Sequence, residues 1–247
     1  MFFLTLPFDF HLHSCLSPCG SEDNTPANLA GMCALAGLKA VALTDHNSVG
    51  NCAAFLEAAE RYGLLALPGM ELTTAEEVHV ICLFPDLPAA LDFGALVCRR
   101  LPPLRNDSRI FGPQILMDSG DTVLGEEERL LAGATNIAIY EAAALVASHG
   151  GLAYPAHIDR PSFSLLSNLG LWDPALGFSL AEVTPRCPTE LLRRPDLVGI
   201  HTLTASDAHD LSQISDPCQA LELPAATAKV VLNILQSPDF PNFYRLL

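Results

Sequence analysis

Seven short apolar runs punctuate this chain, and alanine-rich stretches of helical period separate most of them. The runs cover 8–13, 39–44, 64–71, 78–83, 152–155, 180–183 and 203–205. Each has the length of a strand, and strands alternating with helices are the pattern of β/α units around a largely parallel sheet. The expected class is therefore α/β. A chain of 247 residues, 50% of them hydrophobic, can bury one sizeable core but hardly two, so a single domain over 1–247 is expected.

Local signals place the helices between these runs. Thr25-Pro26 reads as an N-cap followed by proline at the first helical position, which predicts a helix to about Ala36 with Gly37 closing it. Residues 49–62 predict a second helix, stopped by Gly63, and 137–149 a further one that ends at Gly150-Gly151. Between Pro85 and Thr135 the alternation lapses. A helix at 89–101 runs into Pro102-Pro103, and 114–117 and 122–124 flank the turn-like Asp118-Ser119-Gly120-Asp121. The stretch at about 102–134 thus reads as an inserted hairpin or lid.

Charge and cysteine usage narrow the partners and the compartment. A formal net charge of −15 repels a phosphate backbone over most of the surface unless metals reverse the local sign. On this ground a small anionic phosphate ester is the expected partner and duplex DNA is disfavoured. The eight cysteines lie within apolar runs of a chain too large to need disulfide staples, so reduced thiols and a cytoplasmic location are expected. The amino terminus lacks the basic start of a signal peptide, and no apolar run reaches the roughly 20 residues that span a bilayer. Oligomeric state is not readable from this pattern.

The residues able to carry chemistry gather where the apolar runs end. Asp9-Phe10-His11-Leu12-His13 puts two imidazoles on one face of a strand, close enough to share a metal. Taken alone, such a pair is more often incidental than a site. Thr44-Asp45-His46-Asn47 follows the second run, where His46 could be an ordinary turn residue and Asp45 suits a carboxylate that orients a neighbour. Glu71 ends the third apolar run, and a carboxylate there needs a cation or donors to offset its desolvation. His79 opens the next run, and His157 and Arg160 follow the fifth. The guanidinium fork of Arg160 suits a phosphate, although a surface ion pair is the common role of an arginine. Ser206-Asp207-Ala208-His209 follows the last run. Six of the eight histidines and two carboxylates fall at or beside strand ends, which points to a catalytic site for manganese, iron or zinc and to hydrolysis.

The order of these motifs, His-x-His, Thr-Asp-His, Gly-x-Glu, a following His, Ala-His and Asp-x-His, resembles the PHP (polymerase and histidinol phosphatase) family across nearly the whole chain. The resemblance implies a distorted (β/α)7 barrel holding two or three divalent metal ions at the carboxyl ends of its strands. It implies that His11, His13 and Asp207 bind one metal, bridged by Glu71 to a second that His79 and His157 complete. His46 and His209 match positions that hold a third metal in trinuclear members. Arg160 falls where related enzymes present a basic residue to the substrate phosphate. The chain departs from the family after His13, where Cys19 and Asp23 are the two alternatives for a further ligand, and at Ile158, where proline is frequent.

The implied activity is hydrolysis of a phosphate ester, such as a phosphomonoester, nucleotide or short oligonucleotide, by a metal-activated hydroxide. Asp45 and Arg160 are the expected catalytic groups beside the metals. Two rivals remain at this level: an amidohydrolase-type hydrolase, which would want a bridging lysine that neither Lys39 nor Lys229 is placed to supply, and a metal-binding partner domain without catalysis. His149 and His201 do not fit the motif pattern and are read as structural.

Overall fold

The computed structural model describes residues 3–214 and 216–247. In chain order the elements are β1 (Leu4–Leu12), α1 (Pro26–Leu35), β2 (Ala40–Leu43), α2 (Cys52–Arg61), β3 (Leu65–Thr73), β4 (His79–Leu83) and α3 (Leu87–Arg100). There follow α4 (Ser108–Phe111), β5 (Ile115–Met117), β6 (Val123–Glu126), α5 (Ile139–Ser148), β7 (Leu152–Pro155), α6 (Leu165–Leu169) and β8 (Leu180–Val183). The chain ends with α7 (Thr189–Leu192), β9 (His201–Thr204), β10 (Gln219–Leu223), α8 (Ala228–Gln236), α9 (Phe240–Phe243) and β11 (Tyr244–Leu246).

The fold is α/β, built on a curled seven-stranded sheet in the order β11-β10-β1-β2-β3-β4-β7. Its first three strands are parallel, with Ala40 opposite both Phe8 and Leu65. The sheet as a whole is mixed rather than largely parallel. Residues 74–78 are too few for a crossover, so β4 turns straight back along β3 and pairs Thr73 with His79. A second reversal makes β7 run with β1 to β3 again. The strands β8 and β9 form a separate parallel pair. Two links draw that pair toward the curled sheet: Ile158 N donates to Glu182 O at 2.9 Å, and a bridge joins Leu12 to Ala208.

Alternation along the central strands feeds two cores. Ala40 and Ala42 of β2 pack with Phe8, Phe10, Leu67 and Ile81, and α8 closes this core with Val231 and Leu235. Val41 and Leu43 point the other way, to a core shared with Leu29 of α1, Phe55 of α2, Phe93 of α3 and Val146 of α5. The elements β10 and β11 were not among the expected strands, because Gln219-Ala-Leu-Glu-Leu223 is rich in helix formers and lacks β-branched residues. The helix at α1 follows its cap signal, with Thr25 Oγ1 accepting from Asn28 N at 3.2 Å.

Within 102–134 lies the β5–β6 hairpin, tied down by several bonds. Asp121 at its turn accepts from Thr25 Oγ1 at 2.7 Å and Ala27 N at 3.0 Å, at the start of α1. Asn51 accepts from Met117 N at 3.0 Å and donates to Ile115 O at 3.0 Å. Cys15 O accepts from Ile115 N at 2.9 Å. These contacts clamp the segment that follows β1.

Gly69 marks the tightest approach in the sheet. A Cβ there would stand 2.9 Å from Cys82 O and 3.0 Å from Leu83 Cδ2 and Thr44 Cγ2. The carbonyl cannot retreat without loosening the β3–β4 pairing. Gly69→Ala is expected to cost about 1–3 kcal/mol through overpacking, read as a lower urea midpoint with an unchanged slope.

Candidate metal centre

Reversal of β4 has a direct consequence for side chains. It brings His79, at the start of β4, to the same end of the sheet as residues that finish β1, β2 and β3. His11 and His13 arrive from the end of β1, Asp45 and His46 follow β2, and Glu71 lies near the end of β3. His157 follows β7, and Asp207 and His209 follow β9. Main-chain bonds set these loops against one another: His13 N donates to Ala208 O at 3.0 Å, and Asn47 N donates to Glu71 O at 2.9 Å. Asn47, His157 and Asp207 hold left-handed backbones with φ of 50°, 31° and 51°. Such strain persists only where the surroundings enforce it, and it collects at functional sites.

Three overlapping groups of donors result: His11, His13, Glu71 and Asp207; His46, Glu71 and His79; and His13, His46 and His209. Within each group the donor atoms lie within 4.8 Å of one another. Glu71, fully buried, is shared by the first two. Its Oε1 lies 2.8 Å from His79 Nδ1 and 3.2 Å from His157 Nε2, and its Oε2 lies 2.9 Å from His46 Nδ1. Asp207 divides its two oxygens. Oδ1 faces His11 Nε2 and His13 Nε2, each at 3.0 Å, while Oδ2 meets the half-exposed Arg160 at 2.5 Å.

The far sides of the imidazoles are held so that lone pairs point inward. His11 Nδ1 lies 3.0 Å from both oxygens of Glu182, a carboxylate that can only accept, so Nδ1 carries the proton and Nε2 is left free. Around His13 the chain is longer. Asp45 accepts from Ser14 N, Ser14 Oγ and Ser17 Oγ, each at 2.7 Å. With its proton given to Asp45, Ser17 Oγ accepts from His13 Nδ1 at 2.9 Å. Asp45 therefore positions His13 through a serine. The two freed nitrogens, His11 Nε2 and His13 Nε2, stand 3.0 Å apart.

That geometry fits divalent metal ions. His46 Nδ1 and Glu71 Oε2 are buried and close, yet neither makes a directed hydrogen bond. Neutral imidazoles aimed at one another and at carboxylates need a cation between them. Protons are the alternative cations, and the pKa directions reflect this. Burial alone would lower His11, but Asp207, Glu182 and Glu71 outweigh it and raise its pKa well above the usual value. His13 and His46 are each carried to about 9 against burial, His13 by the adjacent carboxylates of Asp207 and Glu71 and His46 chiefly by the charge of Glu71. Burial also opposes the charge of Glu71, and His79, His11 and His46 overcome it, holding that carboxyl well below its ordinary range. Burial wins at His79, whose pKa falls, and at His209, pushed down to about 3 by burial and the charge of His13.

Most residues singled out in the sequence converge here, with some changes of company. His46 joins Glu71 and His79 as well as His209. His157 reaches Glu71 but falls outside the three groups. Cys19 is exposed, and its nearby thiol is one of the influences that raise the His46 pKa. Asp23 is exposed, with its backbone engaged by Ser21 and Asn28. Among the described residues neither belongs to a donor group. Sequence reading passed over Glu182 and Ser17. The signal for Glu182 was a lone carboxylate in the apolar strand Leu180-Ala-Glu-Val183, the same sign that drew attention to Glu71.

Comparison with known proteins bears on this site. The PHP domain family matches residues 9–160. Among curated proteins, none matches the chain in sequence. Endonuclease Q of Pyrococcus furiosus overlays with a TM-score of 0.67 at 17% identity, over 94% of this chain and 56% of that one. Endonuclease Q in complex with a 27-mer duplex substrate, an abasic lesion at its active site, gives 0.69 at 17% identity, over 94% and 57%. This chain thus spans little more than half the length of those chains. A Bifidobacterium adolescentis protein described as a metal-dependent phosphoesterase gives 0.55 at 19% identity, over 82% and 87%. An amidohydrolase from Chromobacterium violaceum gives 0.60 at 20% identity, over 94% and 96%. Likenesses at such identities show a shared fold.

One expectation is corrected by these neighbours. The ranking of small phosphate esters over duplex DNA does not stand, since Endonuclease Q, a little more than half of whose chain shares this fold, is seen in complex with a 27-mer duplex substrate. Net charge does not decide the matter, because the field that a phosphate meets is set by local cations, not by the sum over a chain.

Two outcomes follow for metal binding. Glu182→Gln is expected to weaken metal affinity about 10- to 100-fold by loosening His11, measured by competition with a chelating dye. Ligation needs neutral imidazoles, whereas His13 and His46 titrate at about 9 in the metal-free protein. Metal binding should therefore release protons at neutral pH and tighten as pH rises toward 9, which calorimetry in buffers of different ionisation enthalpy would read. The same raised values stabilise the metal-free fold below the unfolded histidine pKa, and that contribution is lost as pH rises through about 9.

Proposed function

The chain belongs to the PHP domain family, and from that premise we propose that it is a metal-dependent phosphoesterase. The observation that carries this reading is the shared, buried Glu71, flanked by the donor groups of His11, His13 and Asp207 and of His46 and His79, with the Arg160 cation at its rim. In this reading the strands β1 to β4, β7, β8 and β9 act as a distorted (β/α)7 barrel with the metals at one end. Manganese, iron or zinc suits the histidine and carboxylate set. Bound there, divalent ions would supply Lewis acidity toward a phosphoryl oxygen and acidify a water for attack.

The chain's own groups do the rest. Glu182 and the pair Asp45 and Ser17 hold His11 and His13 in the tautomers that present Nε2. Asp45, whose oxygens are occupied by Ser14 and Ser17, acts as a positioning residue rather than one that touches substrate. Arg160 presents a permanent cation beside Asp207, where equatorial phosphoryl oxygens would meet it. The substrate class is a phosphate ester, with nucleic acid included. The amidohydrolase reading is not favoured, because Lys39 lies at the amino-terminal end of β2 and Lys229 on α8, neither beside Glu71. Eight free cysteines suit a reducing, cytoplasmic setting, and no helix among the described residues is long and apolar enough to cross a membrane.

Elemental analysis paired with phosphatase and phosphodiesterase assays in added manganese tests the proposal. Glu71→Ala or His11→Ala should remove bound metal and reduce turnover to background together. Arg160→Ala should keep the metal and lose about 10- to 100-fold in kcat/KM, the worth of one charge-assisted hydrogen bond. Phosphate ester cleavage that persists in the metal-stripped Glu71→Ala protein would sink the reading.

A further inference from the structure

The loop between β7 and α6 carries a second side chain to the rim of the donor groups besides Arg160. Phe163 is 45% exposed, and its ring stacks on His79 with centroids 4.9 Å apart and planes 21° from parallel. Its backbone is left-handed, at φ 53°, which is unfavourable for a bulky side chain. Several bonds enforce that conformation: His79 N donates to Phe163 O at 3.0 Å, Ser164 Oγ to Arg160 O at 2.8 Å, and Arg160 N to His157 O at 2.9 Å. The loop is thus built to hold a phenyl ring at the mouth of the site rather than to bury it.

Orientation of His79 does not require that ring. The imidazole is already fixed by Glu71 Oε1 at 2.8 Å and by the pairing of its backbone with Thr73. Phe163 instead offers an apolar surface against His79, a member of the donor group of His46 and Glu71, on the same loop as Arg160, whose guanidinium meets Asp207. We infer that Phe163 is a stacking platform for a nucleobase whose own nucleotide carries the phosphate held beside Arg160. The substrate class is then a nucleotide unit, either free or within a nucleic acid strand. A phenyl face takes any base, since every base has a π surface, so the platform selects for the presence of a base rather than its identity. This inference rests on the phosphoesterase reading and narrows it.

The test uses the full chain reconstituted with manganese, and compares a nucleoside monophosphate with a sugar phosphate that lacks the base. Phe163→Leu should lower kcat/KM for the nucleotide about 10- to 100-fold, mainly through KM, and leave the sugar phosphate unchanged. Phe163→Trp should restore the nucleotide. An equal loss on both esters would mean that Phe163 acts only through His79 and would overturn the inference, as would no loss on either. A single-stranded oligonucleotide and a duplex in parallel identify the source: sensitivity to Phe163→Leu confined to the mononucleotide points to free nucleotides, and sensitivity extending to strands points to nucleic acid. Should the wild type cleave no phosphate ester, the phosphoesterase reading fails. Calorimetric binding then decides this inference separately: tighter binding of the nucleotide than of the sugar phosphate, lost in Phe163→Leu, upholds it, and equal binding overturns it.

Discussion

A carboxylate with no access to water and five imidazoles around it is the constraint on which this protein depends. Glu71 has histidine nitrogens from His11, His13, His46, His79 and His157 within 3.4 Å. An isolated carboxylate so placed would be strongly disfavoured, and isolated neutral imidazoles would crowd their lone pairs against it. Only added positive charge reconciles them. In the metal-free protein protons can serve, which is why His11, His13 and His46 are raised while Glu71 is lowered. Divalent ions satisfy the same demand with directed bonds. The site is thus a place where the fold stores an appetite for cations.

Everything nearby limits how those groups can relax. Glu182 and Ser17 lock two tautomers from behind, and Asn47 does the same for the chain itself, accepting from Thr73 N at 2.9 Å and donating to Leu131 O at 2.7 Å and Gly133 O at 2.9 Å. Asn51 extends this support, donating to Ser14 Oγ at 3.0 Å while it holds the β5–β6 hairpin. The stretch 102–134, which looked in sequence like an interruption, therefore braces the loops that carry His13 and His46. Preorganisation of this kind removes the cost of assembling ligands when a metal arrives.

The donors were legible in the sequence for a physical reason. A histidine or carboxylate at the end of an apolar strand is costly unless it has a partner, so His11, His13, Glu71 and Asp207 stand out against the runs they terminate. Glu182 carries the same sign, but it lies inside a short strand rather than at the end of a run. The direction of β4 was not legible, because strand composition says nothing of orientation and only the brevity of 74–78 forces the hairpin. Nor were β10 and β11: pairing with Leu4–Pro7 places β10, and pairing with β10 places β11, rather than their own propensity. Between Cys19 and Asp23 the choice depended on loop path alone, and that path leaves both side chains exposed.

Charge shows how far a sum over residues can depart from what a ligand meets. Of the acidic side chains behind the net −15, Asp9, Asp45, Glu71, Glu182 and Asp207 are buried and spend their charge on backbone amides, hydroxyls and imidazoles. They do not confront a polyanion at the surface. Each divalent ion bound among them would offset two further charges at the point where a phosphate lands, with Arg160 beside it. An acidic chain can in this way present a locally cationic mouth, and an exposed aromatic ring there, Phe163, then distinguishes what is attached to the phosphate rather than the phosphate itself. Attraction and selection come from different side chains on one loop, which leaves each free to change without the other.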